Sequence, residues 1–284
     1  QTSPMGRPPL EGHVAGRRAV GWDYLSARFE RACGEDPSWL SPRHWSTVQP
    51  TDLVTLYRDP AVGDRLYRPD RRAELLRDLG SKLIKSGWPS AGDLLAACQG
   101  RAVVGPGALL ELLSRFEAYN DPVCKKSLFF TALMRNTGSW TPTDWHHVGP
   151  PVDYHEVRGH LRIGTVRVVS EALERKLRNR AAVSVDEDVA IRAAVYHAIM
   201  ELSEKSGLRN PSQLHYLFWN VFRNVCTRSD PGCLSLRHRP NLPPRYGPLT
   251  TVHGEPRRCP FSGCCGSVAV ETRYLEHSFD TDWY

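Results

Sequence analysis

Residues 151–168 read PVDYHEVRGHLRIGTVRV and set Asp153, two histidines and several arginines in a frame that is otherwise apolar. A carboxylate placed just before such a run accepts from the free N–H groups that open a helix, and the helix dipole favours its charge. The pattern therefore predicts a helix that begins after Asp153. Taken from these residues alone, Asp153 is an N-cap; a catalytic carboxylate is the other reading of the same position.

Outward from this stretch, most of the chain carries helical periodicity. Segment 183–207, VSVDEDVAIRAAVYHAIMELSEKSG, offers Ser184 as a cap, acidic residues in the first turn and Gly207 as a stop. Segment 210–226, NPSQLHYLFWNVFRNVC, starts near Pro211 and places Leu214, Leu217, Phe218, Val221 and Phe222 on one buried side. Upstream, RRAELLRDLGSKLIKSG (71–87) brings Leu75, Leu76, Leu79 and Leu83 to one face, and SAGDLLAAC (90–98) follows a Pro-Ser break. Further helices are expected over 105–120, after Gly-Pro-Gly, and over 125–136, after Asp121-Pro122. A Trp- and Pro-rich connection, 137–151, leads back to the opening stretch. Alternating strand patterns are scarce and no internal repeat is evident, so the expected class is all-α.

With 284 residues, 40% of them hydrophobic, the chain can bury one large core or two modest ones, which points to a compact, two-lobed molecule. The 37 basic residues exceed the 31 acidic ones, and the resulting charge of +6 with a pI near 8.9 suits a polyanionic partner. No stretch approaches the roughly 18 to 20 apolar residues of a membrane span, and the first residues lack the apolar centre of a signal peptide. A cytoplasmic monomer is expected. The expected organisation is a flexible tail over 1–20, a helical scaffold over 21–104, a catalytic region over 105–225 and a cysteine-bearing loop and tail over 226–284.

Five of the eight cysteines fall between 226 and 265, whereas Cys33, Cys98 and Cys124 are scattered and read as small buried side chains. Cys226 and Cys233 enclose six residues, and Cys259 and Cys265 enclose five; Cys264 would give four instead. Four thiolates suit a [4Fe-4S] cluster. Zinc is the main competitor, although its ligand pairs favour spacings of about two to four residues, and plain structural thiols are the third option. Whether Cys264 or Cys265 is the fourth ligand stays open.

A helix running into C-x6-C and a later C-x5-C resembles the iron–sulfur loop of the endonuclease III family of helix-hairpin-helix DNA glycosylases. In that family the middle two ligands lie close together, whereas here 25 residues separate Cys233 from Cys259. This insertion is rich in basic groups, among them Arg237, His238, Arg239 and Arg245, which would suit contact with phosphates. The segment VDYHEVR likewise looks like the family's Val-Asp-Thr-His-x-x-Arg. The resemblance spans roughly residues 105–265. It implies a two-lobed helix-hairpin-helix fold, a [4Fe-4S] cluster on Cys226, Cys233, Cys259 and Cys265, and Asp153 as the catalytic carboxylate. Such a group stabilises the positive charge that develops on the sugar of a flipped nucleotide as its glycosidic bond breaks.

Family members that also cut the strand carry a lysine nucleophile at the start of the helix before the Asp segment. Lys126-Ser127 is the better match, with Lys125 in the place of the family's Arg. The family's Gly-rich hairpin turn, however, is replaced by Asp-Pro-Val-Cys, so strand cleavage is left open. His155 and Arg158 would orient the helix or contact phosphate. Trp145 and His147, with Trp140 and His146 beside them, would stack on or hydrogen-bond an extruded base. The implied activity is release of a damaged or modified base from double-stranded DNA. A pyrimidine-hypermodifying transferase of the same fold and a non-catalytic iron–sulfur DNA-binding module are the alternatives.

Overall fold

The computed structural model describes residues 8–207, 210–236, 242–243, 245–246, 258–268 and 273–283. The described residues are mostly helical, with one two-stranded hairpin. They form two compact units, Gln1–Asp121 with Asp280–Tyr284, and Pro122–Phe279. The division falls some seventeen residues later than the boundary expected between 104 and 105.

The first unit opens on strands β1 (Glu11–Val14) and β2 (Arg17–Val20), paired antiparallel from Glu11↔Val20 to Val14↔Arg17. This hairpin stands where part of a flexible tail was expected. Its turn residues Ala15 and Gly16 both have positive φ, 49° and 75°, as a tight hairpin turn requires. It is anchored by fully buried Leu10 and by Gly12, where a Cβ would lie 2.6 Å from the Tyr24 ring and 2.7 Å from the Asp59 carboxylate. Helices α1 (Trp22–Glu35), α2 (Pro42–Trp45), α3 (Pro50–Tyr57), α4 (Pro69–Lys85), α5 (Ala91–Ala97) and α6 (Leu109–Ser114) follow. Leu10, Tyr24, Val48, Leu53, Leu56 and Ala73 share one core. Gly80 of α4 lets α2 approach closely, since a Cβ there would sit 2.5 Å from the Pro42 carbonyl. The single helix expected over 105–120 is instead α6 plus a 3-10 turn, Glu117–Tyr119, with buried Phe116 at the break.

The second unit holds α7 (Lys125–Asn136), α8 (Tyr154–Ile163), α9 (Glu171–Asn179), α10 (Val185–Lys205) and α11 (Pro211–Asn224). Four of these follow the sequence expectation; α9 was not foreseen. Helix α10 begins at a full capping box, Ser184 with Glu187, and α8 ends at Gly164 in the left-handed conformation, φ 85°. Val157 and Leu161 of α8 pack with Ile191, Val195 and Ile199 of α10 and with Phe218, Val221 and Phe222 of α11. Burial of each such side chain contributes about 1.5–3 kcal/mol. Gly159 sets how near α8 comes to α11: a Cβ there would fall 2.2 Å from the Phe222 ring. No helix of the described residues is long and apolar enough to cross a membrane.

Candidate functional site

Asp153 is the N-cap of α8, as its position before the helical run dictates. Its Oδ1 accepts from the backbone N–H of His155 at 2.7 Å and of Glu156 at 3.3 Å. Glu156 closes the capping box by accepting from the Asp153 N–H at 3.3 Å. The other oxygen, Oδ2, accepts from the indole Nε1 of Trp219 on α11 at 2.9 Å. Only 9% of Asp153 is exposed. Burial alone would raise its pKa, but His155 once protonated in acid, the charge of Lys125, the Trp219 bond and the charge of His215 outweigh it and hold the carboxyl below its ordinary value.

Around this carboxylate lies a buried polar network. Arg158 Nη2 donates to His155 Nδ1 at 3.0 Å and to the Phe222 carbonyl at 2.8 Å. A guanidinium cannot accept, so Nδ1 must, which places the His155 proton on Nε2. Burial lowers His155 to about 4, leaving it neutral at pH 7. Arg158 also donates to the Cys226 carbonyl at 3.1 Å and to Glu276 at 2.9 Å, with both members of that ion pair almost wholly buried. Arg158 is therefore not free to meet a phosphate; of the two roles expected for it, orienting the helix is the one its geometry supports. One turn away, Glu156 Oε1 lies 2.6 Å from His215 Nδ1. Burial raises the Glu156 pKa against the opposing pull of His215.

The remaining expected residues are distributed unevenly. Lys125, half-buried on the first turn of α7, is the lysine whose charge acts on Asp153, and its Nζ lies 5.1 Å from the Phe129 ring centroid. Lys126 is half-buried on the same turn, about 100° further round the helix. Trp145 opens a 3-10 turn, and the Arg135 guanidinium covers its ring at 4.1 Å. Its indole Nε1 is buried with no hydrogen-bond partner among the described residues. That packing makes Trp145 an anchor of the connection. His147 is exposed, its ring 4.2 Å from that of His146. Arg237 and Arg239 lie outside the described residues.

At the other end of α8, the two cysteine pairs meet. The Cys259 N–H donates to the Gly232 carbonyl at 2.8 Å, so the two halves of the motif run side by side despite the insertion between them. Cys226, Cys233, Cys259 and Cys265 line one small cavity of about 10 Å³, together with Arg162, Phe222 and Phe261. Arg162 donates to the Cys226 sulfur at 3.3 Å and to the Thr227 carbonyl at 2.7 Å, and the Cys265 thiol donates to the Arg162 carbonyl at 3.3 Å. Burial, reinforced by the neighbouring thiols, pushes Cys259 up to about 12. Cys264 is exposed, its Sγ turned to the Phe261 carbonyl at 3.5 Å. Among the described residues, no three His, Cys, Asp or Glu side chains form a group that could hold a metal ion.

Trp219 and Glu276 were not among the expected residues. Trp219 carries a faint signal, standing four residues after His215 on the edge of the apolar face of α11, whereas Glu276 lies 118 residues from Arg158 and carries none. The chain matches no protein family model, and no curated protein matches it.

Proposed function

We propose that this protein is a DNA base glycosylase of the helix-hairpin-helix kind, acting as a monomer on double-stranded DNA with Asp153 as its catalytic carboxylate. The observation that carries the reading is the arrangement on α8. One end presents a carboxylate held below its ordinary pKa beside Lys125, and the other end, through Arg162, borders a cavity lined by four cysteines. Asp153 would act by its charge, stabilising the oxocarbenium-like sugar as the glycosidic bond breaks. Lys126 is the candidate nucleophile and Lys125, whose charge acts on the carboxylate, its neighbour; whether a lysine attacks the sugar decides strand cleavage. With Asp153 largely covered, admission of a nucleotide requires half-buried side chains around it to move.

Cys226, Cys233, Cys259 and Cys265 would hold a [4Fe-4S] cluster. Four thiolates around one cavity suit a core in which each sulfur takes its own iron. Zinc is the competing ion, although its ligand pairs favour spacings of about two to four residues. When bound, the cluster supplies positive charge that keeps the four thiolates deprotonated and ties the loop to α8. Arg162 contributes a buried cation beside Cys226.

The test is release of free base from a panel of duplexes bearing damaged and hypermodified bases, read by mass spectrometry, together with iron and sulfide assays. Asp153→Asn should lower release about 100- to 1000-fold. Binding without release across the panel would overturn the enzyme. The complete capping role of Asp153 favours one competitor, a non-catalytic DNA-binding module, for which Asp153→Asn leaves DNA affinity unchanged and no product ever forms. A transferase would yield a heavier nucleoside instead of an abasic site.

A further inference from the structure

An ionised carboxylate offers about four lone-pair sites. Among the described residues, Oδ1 of Asp153 uses two on the N–H groups of His155 and Glu156, and Oδ2 uses one on the Trp219 indole. One site is left, on Oδ2, and the rotation of the carboxylate decides where it points. The cap bonds hold Oδ1, and the indole is what fixes the second oxygen. Trp219 is itself held, with the Arg223 guanidinium 4.8 Å from its ring centroid and the His155 ring meeting it edge-on at 6.3 Å.

Resting on the reading of Asp153 as the catalytic carboxylate, we propose that Trp219 is a positioning residue, its indole N–H turning Oδ2 so that the remaining lone-pair site faces the sugar of the everted nucleotide. A tryptophan suits this task for a reason that a lysine or arginine would not. Its N–H is neutral, so it orients the carboxylate without cancelling the negative charge that the transition state needs. The charged and titratable groups that face Asp153 are Tyr154, His155 and Glu156 on α8, Lys125 on α7 and His215 on α11, with Arg158 and Arg223 flanking His155. Trp219 is the side chain that hydrogen-bonds the carboxylate directly.

The test removes one donor and keeps the shape, by placing 3-benzothienylalanine at position 219, where sulfur replaces the indole N–H; Trp219→Phe serves as a second variant. Asp153 is titrated by carboxyl-carbon NMR in the substrate-free protein, and base release is followed across pH. Loss of a donor to the charged form should move the Asp153 titration upward, and the acid limb of the rate profile should move with it. Turnover, kcat, should fall about tenfold to a hundredfold, the worth of one hydrogen bond to a charged group, while KM stays unchanged. An unshifted titration and unchanged kcat in an active protein would overturn the role of Trp219. A shifted titration in a protein that never releases base would instead overturn the catalytic reading of Asp153 on which that role rests.

Discussion

The two units bury very different things. In the first, the described core is apolar, with Asp59 and Asp121 as its buried carboxylates. In the second, Asp153, Glu156, Arg158, His160, Arg162, Asp188, Arg192, Glu276 and His277 are all removed from water. Desolvating so many ionisable groups is costly, and each must be matched by a partner. A helical scaffold does not need them, since the first unit folds without. The contrast lies in the buried ionisable groups alone, because the second unit also holds the larger apolar core.

That contrast can be broken most directly at Arg158. Arg158→Ala takes one of two cations from buried Glu276, which keeps Arg228 at 2.6 Å, and leaves the Phe222 and Cys226 carbonyls without this donor; it should cost about 2–5 kcal/mol, read by denaturant unfolding, and a loss below about 1 kcal/mol would mean that the network contributes little. Next in size, Asp153→Asn keeps a competent cap but should lower base release about 100- to 1000-fold, equivalent to about 2.7–4 kcal/mol, with the fold retained by circular dichroism. Gly159→Ala should destabilise by about 1–3 kcal/mol, because the added methyl overlaps the Phe222 ring.

Acid sharpens the same comparison. His155 and His160 are lowered by burial to about 4 and about 3. Between those values and the ordinary value near 6.5, the unfolded chain binds more protons than the folded one. Their stabilising contribution is therefore complete above about pH 6.5 and is lost as pH falls toward 4, at up to about 1.4 kcal/mol per pH unit for each histidine. Unfolding midpoints measured across that window should fall, and His160→Phe should flatten the slope. The smallest effect is expected in the first unit, where the exposed pair Arg31–Glu35 is open to solvent and Arg31→Ala should leave the unfolding midpoint unchanged.

Much of this architecture is legible from short-range signals. Helices α7, α10 and α11 announce themselves by caps, stops and apolar spacing, and Asp153 declares itself a cap by its place before a helical run. The hairpin over 11–20 does not, because EGHV and RRAV lack alternation and the turn is Ala-Gly, without the Asn or Asp that marks such turns. Arg158 shows its charge in the sequence but not its depth. The partner that takes it out of the solvent, Glu276, is more than a hundred residues away. Cys264 and Cys265 cannot be told apart by spacing, and the turn after Cys259 is what directs one to the cavity and the other outward. Trp219 is apolar by composition and useful by its one N–H, a role visible only once α11 lies across α8.

The distance in sequence between Arg158 and Glu276 has a consequence for how the chain is made. While the ribosome works, the hairpin and α1 to α4 can settle against one another from local contacts. The second unit must wait, holding its arginine without a counter-ion until the last dozen or so residues of its 122–279 span emerge. Synthesis halted before that point would leave the α8 region unable to mature and the first unit without Asp282, the partner of Arg71, so protein interrupted late should be a target for chaperones.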